Sequence, residues 1–574
     1  MSLRTLCAVA LFSTLASSQT TVNVVAAPGI ATFAPGVTGN AWLFNGSFPG
    51  TPLRVTQGQT LRVRFRNDLP ESTAIHWHGQ PVPLGMDGVP GISRPAVAPG
   101  QEFVYELTNL IPGTHWYHPH GHAMQLDLGL AGLVIVDPAN PSDDPPYDVE
   151  QVIVLDEWTN PLGGSYTGHL LNGKSSAGTV PITVQPGQRV RLRILNASAV
   201  TNYVFAIDGH PMTVTHADGG RVQPVVVQAL PIGIAERYDV IVECNNPGTW
   251  SLAASAITNR NATLVRGVMH YAGQPYNPPP ANFVPPNLAT GTLLSYAQLA
   301  AYFAVPPIVP NPQHRFTTTF AMSMGPGGMV HTINGQSWPN VTPFRVAQGD
   351  VVELTMTNTV ASLVQGLHPM HTHGHSFRLL NTAGGTTRAP VKDTILIRPS
   401  GQPGSTAVVQ LVMDNPGLWL FHCHNEDHMA SGMITAFEYL GDTDVDGIAD
   451  GVAHEPTTAI PVTEISDMAM DFAPGASSAI SVQWTAGQLV DVFAGLSELA
   501  TPLVFPPYGT LVLDPSSSMF FGGAWANASH RAFVSYAIPN DAGLIGLRVA
   551  FQAVGLTTLP GGFRLGTAQA LTIR

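Results

Sequence analysis

Apolar and polar residues alternate over many short runs of the chain, and this period of two predicts β-strands. Three runs share one pattern, at residues 53–65 (LRVTQGQTLRVRF), 182–194 (ITVQPGQRVRLRI) and 344–356 (FRVAQGDVVELTM). Each consists of two strand-like halves around a glycine turn, so we predict the same β-hairpin three times. The runs begin 129 and 162 residues apart, which are the lengths of whole domains rather than of solenoid repeats.

The repeat predicts an all-β protein with three similar Greek-key β-sandwich domains and a further β-rich region. We divide the chain into a signal peptide (1–18), a first domain (19–138), a second domain (139–273), a Pro-rich linker (274–313), a third domain (314–440), an acidic linker (441–455) and a C-terminal β-domain (456–574). The pattern assigns no chemistry to the C-terminal β-domain.

Composition narrows the class of protein. Only 11% of residues are charged and the formal net charge is −13, which argues against nucleic-acid binding. Three cysteines are too few for a disulfide scaffold or a cysteine-rich zinc protein. Histidine stands out, because 21 histidines nearly equal the 24 lysines and arginines together.

The N-terminus has the pattern of an export signal: Arg4, an apolar run at 6–12 and the small residues 16–18. We expect cleavage near Ser18 and a periplasmic or extracellular protein that acts as a monomer. The apolar run is far shorter than the roughly 20 residues of a membrane span, and we predict no such span elsewhere. Cys7 leaves with the signal, so Cys423 and Cys244 remain, the latter as a buried free thiol.

Histidines concentrate in four short windows, 76–78, 115–122, 368–375 and 422–428, whose 26 residues contain 13 of the 21. They include four His-x-His pairs: His76 and His78, His118 and His120, His371 and His373, His422 and His424. On a strand, residues two apart project to the same face. Eight imidazoles are too many for one metal ion and suit three.

Cys423 identifies the metal, because it lies between the two histidines of the last pair and its sulfur should point to the opposite face. Two histidines, a cysteine and a weak axial methionine form the blue-copper electron-transfer site. The remaining donors for such a site are His368, His428 and Met433. One strand would then carry a copper thiolate on one face and two cluster ligands on the other, which gives an electron a covalent route between them.

The four motifs are HWHG (76–79), HWYHPHGH (115–122), HPMHTHGH (368–375) and HCHNEDHMASGM (422–433). Together they resemble the multicopper oxidases, in particular the three-domain laccase-like branch. The resemblance covers about residues 22–440 and includes IDGHPMTVTHADG (207–219), which carries no copper in such proteins. It implies three cupredoxin domains, with a trinuclear copper cluster between the first and the third.

The resemblance also implies a place for each of four copper ions. The implied ligand sets are His76 and His371 for the type 2 copper; His78, His118 and His424 for one type 3 copper; His120, His373 and His422 for the other; and His368, Cys423, His428 and Met433 for the type 1 copper.

The implied activity couples four one-electron oxidations of a phenolic donor to the reduction of O₂ to two waters, which consumes four protons. Asp87, in MDGVP, and Glu426, three residues after Cys423, match acidic positions used in related enzymes. We expect both to act in proton delivery. The alternatives are an Asp-Gly turn for Asp87 and a solvated loop for Glu426.

A thioether axial ligand at Met433 favours a type 1 copper of lower potential, and hence easily oxidised phenols or metal ions such as Cu(I). Further methionines could offer soft sulfur near the site: Met322, Met324, Met329, Met370 and Met429. Methionine also fills gaps in cores. We therefore place phenol oxidation ahead of cuprous oxidation in copper tolerance.

The acidic linker resembles a calcium loop, with residues at positions 1, 3, 5, 6 and 9: Asp442, Asp444, Asp446, Gly447 and Asp450. Position 12 is Ala453 rather than glutamate, so the segment is not an EF-hand. It is more similar to the calcium-binding linkers of extracellular bacterial proteins, and the alternative is a solvated acidic linker.

Two other functions fit part of the pattern. A copper nitrite reductase shares the type 1 site but lacks the cluster of eight histidines. A non-catalytic copper-sequestering or adhesion protein could keep the ligands, with the C-terminal β-domain as its working part. The intact His-Cys-His connection disfavours that reading, because a merely structural metal needs no electron route.

Overall fold

The fold is that of a computed structural model, which describes residues 19–440 except 121–123, 281 and 326–327, and nine strands between 477 and 572. The predicted signal peptide lies outside the described residues. So does the acidic linker with its candidate calcium ligands Asp442, Asp444, Asp446 and Asp450.

The first domain is a sandwich of two sheets. Its strands are β1 (Gln19–Ala34), β2 (Val37–Phe44), β3 (Gly50–Thr56), β4 (Thr60–Asn67), β5 (Ile75–His78), β6 (Glu102–Leu107), β7 (Gly113–Pro119) and β8 (Gly132–Asp137). They form two four-stranded sheets, in the orders β2-β1-β4-β6 and β3-β8-β7-β5.

The second domain is larger, with a six-stranded and a five-stranded sheet. Its strands are β9 (Val149–Trp158), β10 (Gly168–Leu171), β11 (Ile182–Val184), β12 (Arg189–Asn196), β13 (Tyr203–Ile207), β14 (Met212–Ala217), β15 (Gly220–Val227), β16 (Ala229–Ile232), β17 (Arg237–Glu243), β18 (Thr249–Ala256) and β19 (Val265–Tyr271). The orders are β10-β9-β12-β17-β14-β15 and β11-β19-β18-β13-β16.

The third domain repeats this plan. Its strands are β20 (His314–Gly325), β21 (Gly328–Ile333), β22 (Phe344–Val346), β23 (Val351–Asn358), β24 (His368–Thr372), β25 (Phe377–Leu379), β26 (Val391–Lys392), β27 (Thr394–Ile397), β28 (Thr406–Val412), β29 (Leu418–Cys423) and β30 (Ile434–Tyr439). The sheet orders are β21-β20-β23-β28-β25-β26 and β22-β30-β29-β24-β27.

The C-terminal β-domain is also built of strands. They are β31 (Ser477–Gln483), β32 (Leu489–Gly495), β33 (Glu498–Phe505), β34 (Gly509–Leu513), β35 (Ser518–Trp525), β36 (Arg531–Ala537), β37 (Arg548–Leu556), β38 (Phe563–Leu565) and β39 (Gln569–Thr572). The all-β prediction is therefore confirmed.

Helices are few and short. They are α1 (Met124–Asp127), α2 (Pro286–Thr290) and α3 (Glu426–Ala430), with 3₁₀ turns at Leu84–Met86, Pro141–Asp143 and Tyr296–Gln298. At four or five residues each, none of the α-helices among the described residues could reach across a bilayer.

The repeated segment is not a hairpin, so that prediction was wrong. β3 pairs with β8 in one sheet, whereas β4 pairs with β1 and β6 in the other. The chain arches across the sandwich at a turn whose glycine has a positive φ, and the same arch recurs in the other two domains. Alternation and a glycine turn look the same in sequence whether the second strand pairs with the first or crosses to the opposite sheet.

Two apolar contact zones hold the first domain against its neighbours. Trp116 and Leu133 pack with Leu195 and Ile234 of the second domain. Val89 and Ile92 pack with strands β29 and β30 of the third. The second zone fixes the interface at which the histidine motifs meet.

Candidate metal centre

Strands of the first and third domains carry the His-x-His pairs. β5 and β7 are antiparallel, with His76 opposite His118, and β24 and β29 are antiparallel, with His371 opposite His422. Each strand pair therefore presents its imidazoles from one face. The eight side chains, all at most 5% exposed, are His76, His78, His118, His120, His371, His373, His422 and His424.

The two sets of imidazoles meet between the first and third domains. His76 stacks on His373 with ring centroids 3.9 Å apart, and His78 stacks on His371 at 3.7 Å. Each stacked pair takes one ring from each domain, so the cluster exists only where the two domains pack together.

The nitrogens that could bind metal fall into groups whose members lie within 4.8 Å of one another. Three groups are His76, His371 and His373; His76, His78 and His118; and His120, His373 and His422. The ring of His424 lies 5.2 Å from that of His78 and 5.1 Å from that of His118. The structure thus brings all eight predicted cluster ligands together.

Hydrogen bonds from Nδ1 to backbone oxygens orient four of the rings, those of His76, His118, His371 and His422. The Nδ1 atoms of His76, His118 and His371 donate at 2.9, 2.8 and 2.9 Å. Their Nε2 atoms are buried and have no hydrogen-bond partner among the described residues. Donation from Nδ1 leaves the lone pair on Nε2, which is how metal-binding histidines are commonly held. These residues therefore fit a bound metal.

His78 is held the other way round. Its Nε2 lies 3.1 Å from Asp393 Oδ1 and 3.0 Å from Thr394 Oγ1, and its buried Nδ1 has no partner in the described part of the chain. Both ring nitrogens of His120 and of His424 are likewise buried, and they have no hydrogen-bond partner among the described residues. Unpaired buried polar atoms are costly, and a cation would satisfy them.

Burial keeps the cluster neutral. It lowers the pKa of His422 to about 4. The pKa values of the other cluster histidines with resolved shifts lie well below the ordinary 6.5, because burial and then neighbouring imidazoles disfavour the charged form. Neutral imidazole is the form that binds metal.

A second donor group lies beside the cluster. Cys423 Sγ is 3.9 Å from His368 Nδ1 and 3.6 Å from His428 Nδ1, and the two Nδ1 atoms are 3.1 Å apart. Burial lowers the pKa values of His368 and His428 to about 3 and about 2. It raises the pKa of the Cys423 thiol, so a thiolate there needs a cation to stabilise it.

Met433 is fully buried in the same core cluster as Cys423. Its backbone N–H donates to His428 O at 3.0 Å, and its carbonyl accepts from Cys423 N at 3.0 Å. Backbone hydrogen bonds therefore hold Met433 between two of the donors. All four residues predicted for the type 1 site lie together in the third domain.

Asp87 joins the first domain to the third. Its Oδ2 accepts from His373 Nδ1 at 2.8 Å, and its Oδ1 lies 3.1 Å from His76 Nδ1. The following Gly88 has a φ of +79°, and a Cβ there would lie 1.8 Å from Ile75 O. The chain therefore bends at Asp87, and the carboxylate is aimed at two cluster histidines, which supports a role at the cluster rather than in a turn alone.

Glu426 is the first residue of α3 and is buried, so a solvated loop is excluded. Burial, with smaller contributions from Asp427 and Asp127, raises the pKa of Glu426 well above its ordinary value. Burial therefore favours the protonated form of this carboxyl group, which lies only two residues from His424.

Sequence reasoning missed Asp393, which orients His78. Arg237 of the second domain donates to both Asp393 oxygens, at 2.7 and 2.6 Å. Burial alone would raise the pKa of Asp393, but Arg237, together with His115 and Lys392, outweighs burial and lowers it, so the carboxylate stays charged. One signal in the sequence could have pointed to Asp393. It is charged, like its neighbour Lys392, although the strand residues that follow are mostly apolar.

His331 was also missed. Its ring stacks on that of His428, with centroids 4.0 Å apart and an interplanar angle of 26°. Of the five methionines suggested as soft donors, Met370 is buried in the core and Met429 packs in the contact zone between the first and third domains. The exposed ones are Met322, Met324 and Met329.

Comparison with known proteins places three stretches in one family. Residues 26–141, 150–274 and 305–442 each match a multicopper oxidase domain family. Multicopper oxidase MmcO of Mycobacterium tuberculosis is 33% identical over 444 residues, which cover 69% of this chain and 82% of that protein. Laccase-4 of Trametes villosa is 28% identical, with 70% and 86% covered.

Solved structures agree on the architecture. A multi-copper oxidase from Pseudomonas thermotolerans superimposes with a TM-score of 0.59 at 27% identity, covering 74% of this chain and all of that one. Fet3p, a multicopper oxidase that functions in iron import, gives a TM-score of 0.64 at 23% identity, with 74% and 90% covered, and shows likeness of fold alone.

Proposed function

The chain belongs to the multicopper oxidase family, and we propose that it couples four one-electron oxidations of a phenolic donor to the reduction of O₂ to water. The family establishes an oxidoreductase that uses type 1, type 2 and type 3 copper, O₂ and a reducing substrate. The choice of donor and the assignment of individual ligands are our proposal.

We assign the copper ligands as the motifs predict. The type 2 ligands are His76 and His371; the type 3 ligands are His78, His118 and His424 for one ion and His120, His373 and His422 for the other; the type 1 ligands are His368, Cys423, His428 and Met433. Unpartnered nitrogens in a buried, neutral cluster support the assignment. When bound, copper supplies the one-electron chemistry that links the donor to O₂.

The chain provides the electron route itself. Cys423 belongs to the type 1 donor group, while His422 and His424, its neighbours on either side, belong to the cluster. Register supports this division, because Cys423 pairs with buried Met370 and His422 pairs with His371. An electron that reaches the thiolate therefore has one residue of backbone to cross.

Two carboxyl groups support proton delivery. Burial raises the pKa of Glu426, which favours the protonated form of a carboxyl group two residues from His424 and suits it to donate a proton. Asp87 accepts from His373 and orients that ring toward the cluster. Reduction of O₂ to water needs four protons, so groups that hold or place protons here would limit the rate of reoxidation.

The surface around His428 supports the proposal of a phenolic donor. His428 Nε2 donates to Gln365 Oε1 at 3.1 Å, and the same loop exposes Leu363 (55%) and Val364 (70%). An apolar surface beside an amide and an imidazole edge suits an aromatic ring with a hydroxyl group. Cuprous oxidation is the second candidate, favoured by the exposed methionines on β20 and β21.

Oxygen uptake by the copper-loaded protein tests the proposal, first with a methoxyphenol and then with Cu(I). Leu363→Ser with Val364→Ser should raise the KM for the phenol, whereas Val180→Ser, an 80% exposed position in the second domain, should not. Uptake with Cu(I) alone would contradict a phenolic donor. Absence of uptake with every donor would favour copper sequestration.

We also propose that the protein is exported to the periplasm or the extracellular space and acts as a monomer. The predicted signal peptide at 1–18 supports export. N-terminal sequencing of the mature protein should begin near residue 19, and an uncleaved chain inside the cell would contradict the proposal. Sedimentation of the mature protein should give the mass of one chain.

A further inference from the structure

Residues 392–394, where β26 ends and β27 begins, contact two imidazoles of the cluster on the side away from their metal-binding nitrogens. His371 Nδ1 donates to Asp393 O at 2.9 Å. His78 Nε2 donates to Asp393 Oδ1 at 3.1 Å and to Thr394 Oγ1 at 3.0 Å. The opposite nitrogen of each ring is buried and has no hydrogen-bond partner among the described residues. The place of this segment therefore sets the direction in which two rings offer their lone pairs.

The second domain holds this segment through charges of opposite sign. Arg237 donates to both carboxylate oxygens of Asp393, at 2.7 and 2.6 Å. In the opposite sense, Lys392 Nζ lies 2.9 Å from Asp218 Oδ2 and 3.0 Å from Glu236 Oε1. All five residues are at most 4% exposed. Buried charges are tolerated only when they are paired, so these contacts fix how the segment lies against the second domain.

The guanidinium of Arg237 touches all three domains. Its Nε donates to Thr114 O of the first domain at 3.1 Å, and its Nη1 donates to Ala235 O of its own domain at 3.1 Å. Its Nη2 lies 3.4 Å from His115 Nδ1. Thr114 and His115 belong to β7, the strand that leads into the second His-x-His pair. One side chain therefore ties a ligand-bearing strand of the first domain to the segment of the third domain.

The first histidine motif leaves room for this ion pair. Gly79, which follows His78, has a φ of +81°. A Cβ at Gly79 would lie 2.5 Å from Arg237 Nη2 and 2.5 Å from Asp393 Oδ2. Glycine permits both this backbone conformation and this close approach. The pair is therefore packed directly against the backbone of the strand that carries His78.

A buried arginine of the second domain need not act on the cluster. Arg191 is 1% exposed and donates to Asp239 at 2.6 Å and to Asp144 at 2.5 Å. Among the described residues, the other partners of these two carboxylates include Thr114 and His216 but no cluster histidine. Arg191 and Arg237 therefore have equal burial and similar ion pairs, and they differ in whether the carboxylate reaches a cluster ring.

We propose that Arg237 is a positioning residue for the copper cluster. Through Asp393 it sets the orientation of His78 and His371, so the second domain, which carries none of the assigned ligands, controls the geometry of the cluster.

Arginine suits this position because its planar guanidinium can hold both oxygens of a carboxylate while its other N–H groups donate to backbone oxygens of two domains. A lysine ammonium is a point charge and cannot replace that fork. The proposal rests on the ligand assignment made above.

Arg237→Lys tests the fork, because it keeps the buried charge and removes the paired hydrogen bonds. Copper affinity at the cluster, measured by competition with a chelator, should fall by about 10–100-fold, as when a metal site loses an outer partner. The type 2 electron paramagnetic resonance signal should change. The blue absorption should persist, because the type 1 donors contact neither Arg237 nor Asp393. Arg191→Lys is the matched control and should keep both the wild-type signal and the wild-type affinity.

The metal-free protein gives a second measurement that does not depend on turnover. Its His78 ring should carry the proton on Nε2, where Asp393 and Thr394 accept it. Nitrogen-15 NMR of the histidine rings should show that tautomer in the wild type and in Arg191→Lys. In Arg237→Lys the signal should become a mixture of both tautomers, because the carboxylate is no longer held against the ring.

Asp393→Asn breaks the same link from the other side, since it keeps the size of the side chain and removes its charge. It should reproduce the altered type 2 signal, and it decides the question if Arg237→Lys does not fold. A wild-type type 2 signal and wild-type copper affinity in either folded variant would overturn the proposal. So would equal changes in Arg237→Lys and Arg191→Lys, because both arginines would then act only on the fold.

The outcome for positioning can be told apart from the outcome for the proposed function. If the variants differ as expected in copper affinity and tautomer while the wild type consumes no O₂ with any donor, the positioning role is supported and the proposed function is contradicted.

Discussion

The second and third domains share one arrangement of strands, called the frame below, yet only the third carries the residues of a type 1 site. Their sheets have the same sizes and the same strand order when counted along the chain. In each domain the fifth strand pairs with the tenth: β13 with β18, and β24 with β29. The tenth strand carries Trp250 in the second domain and Trp419 in the third, and each Nε1 donates to a backbone oxygen four residues earlier at 2.7 Å. The frame therefore forms with or without metal donors.

A polar contact inside the frame is also repeated. His210 Nε2 lies 2.7 Å from Tyr271 OH in the second domain, and His375 Nε2 lies 2.7 Å from Tyr439 OH in the third. Both pairs are stacked, with ring centroids 5.8 Å apart. These histidines belong to the fold, although His375 lies within a metal motif.

The difference is confined to side chains at matched positions. Phe205 pairs with Ala254 where Met370 pairs with Cys423. The places of His368, His371, His422, Cys423 and His424 are taken in the second domain by Tyr203, Ala206, Ala253, Ala254 and Ser255. Alanine at the cysteine position shows that the fold does not need the ligands. Removing a ligand should therefore cost function before it costs structure.

The largest effect should come from Cys423→Ala, which copies Ala254 into the third domain. We expect the intense blue absorption to vanish and O₂ uptake to fall by more than about 100-fold, beyond the loss caused by outer-shell changes. Circular dichroism should remain that of the wild type. Cys244→Ala, at a buried free thiol of the second domain, is the control and should keep its colour. A blue Cys423→Ala variant would refute the assignment.

Glu426→Gln should have the next largest effect. The matched position in the second domain is Ile257, which cannot carry a proton. Loss of a proton donor should slow reoxidation by O₂ by about 100-fold or more, while type 1 reduction is spared. Stopped-flow absorbance separates the two steps. Asp427→Asn, at the exposed neighbour, should reoxidise normally, and normal reoxidation of Glu426→Gln would rule out the role.

In the metal-free protein, low pH should destabilise the third domain more than the second. Between the ordinary histidine pKa of 6.5 and the value of about 4 for folded His422, the unfolded chain binds more protons than the folded chain. The free energy of unfolding should therefore fall as pH falls through this window, by roughly 3 kcal/mol for His422 alone.

Hydrogen exchange measures this difference strand by strand. β29 should lose protection before β18, whose Ala253 and Ala254 do not titrate. Bound copper should oppose the loss, because it binds the neutral imidazoles. Equal loss in both strands with and without copper would show that the histidine cluster is not the cause.

Asp87→Ala tests how far the third domain depends on the first. It removes the acceptor of His373 Nδ1 and the carboxylate beside His76, so reoxidation should slow by about 10–100-fold while type 1 reduction is unchanged. Asp87→Asn, which keeps an acceptor oxygen, should give an intermediate rate. Wild-type reoxidation in the alanine variant would contradict the role.

The smallest effects should come from changes to the shared frame, and they should lower the free energy of unfolding equally in the two domains. Tyr271→Phe and Tyr439→Phe each remove one histidine contact of the shared frame and should each lower the free energy of unfolding by about 1 kcal/mol. Denaturant titration measures this. The blue absorption should be unaffected, and a colour change in Tyr439→Phe would move His375 from the frame to the metal centre.

The sequence was sufficient for the fold class and for most of the centre. Alternation along strands carries both the β prediction and the placement of each His-x-His pair, because a period of two is a local property. The hairpin prediction failed at Gly58 and its equivalents, where the local pattern does not specify the partner strand. Choice of partner depends on tertiary packing.

Contacts between distant segments could not be predicted in the same way. Asp393 meets His78 across 315 residues of chain and is held by an arginine from a third region. His331 has no ligand motif around it and acquires its significance only by stacking on His428. Such residues are found from three-dimensional neighbours and not from spacing.

The carboxylate of Asp87, bound to a histidine 286 residues away, has a consequence for the order of events during synthesis. A chain emerging from its N-terminus completes the first domain long before its partner histidines exist. The metal centre closes only when the strand ending at Cys423 has been made and docked. Copper uptake is therefore a late step. A chain truncated before that strand would keep the sheets of the first two domains, but it would lack β29 and β30 of the third and could not hold the metals.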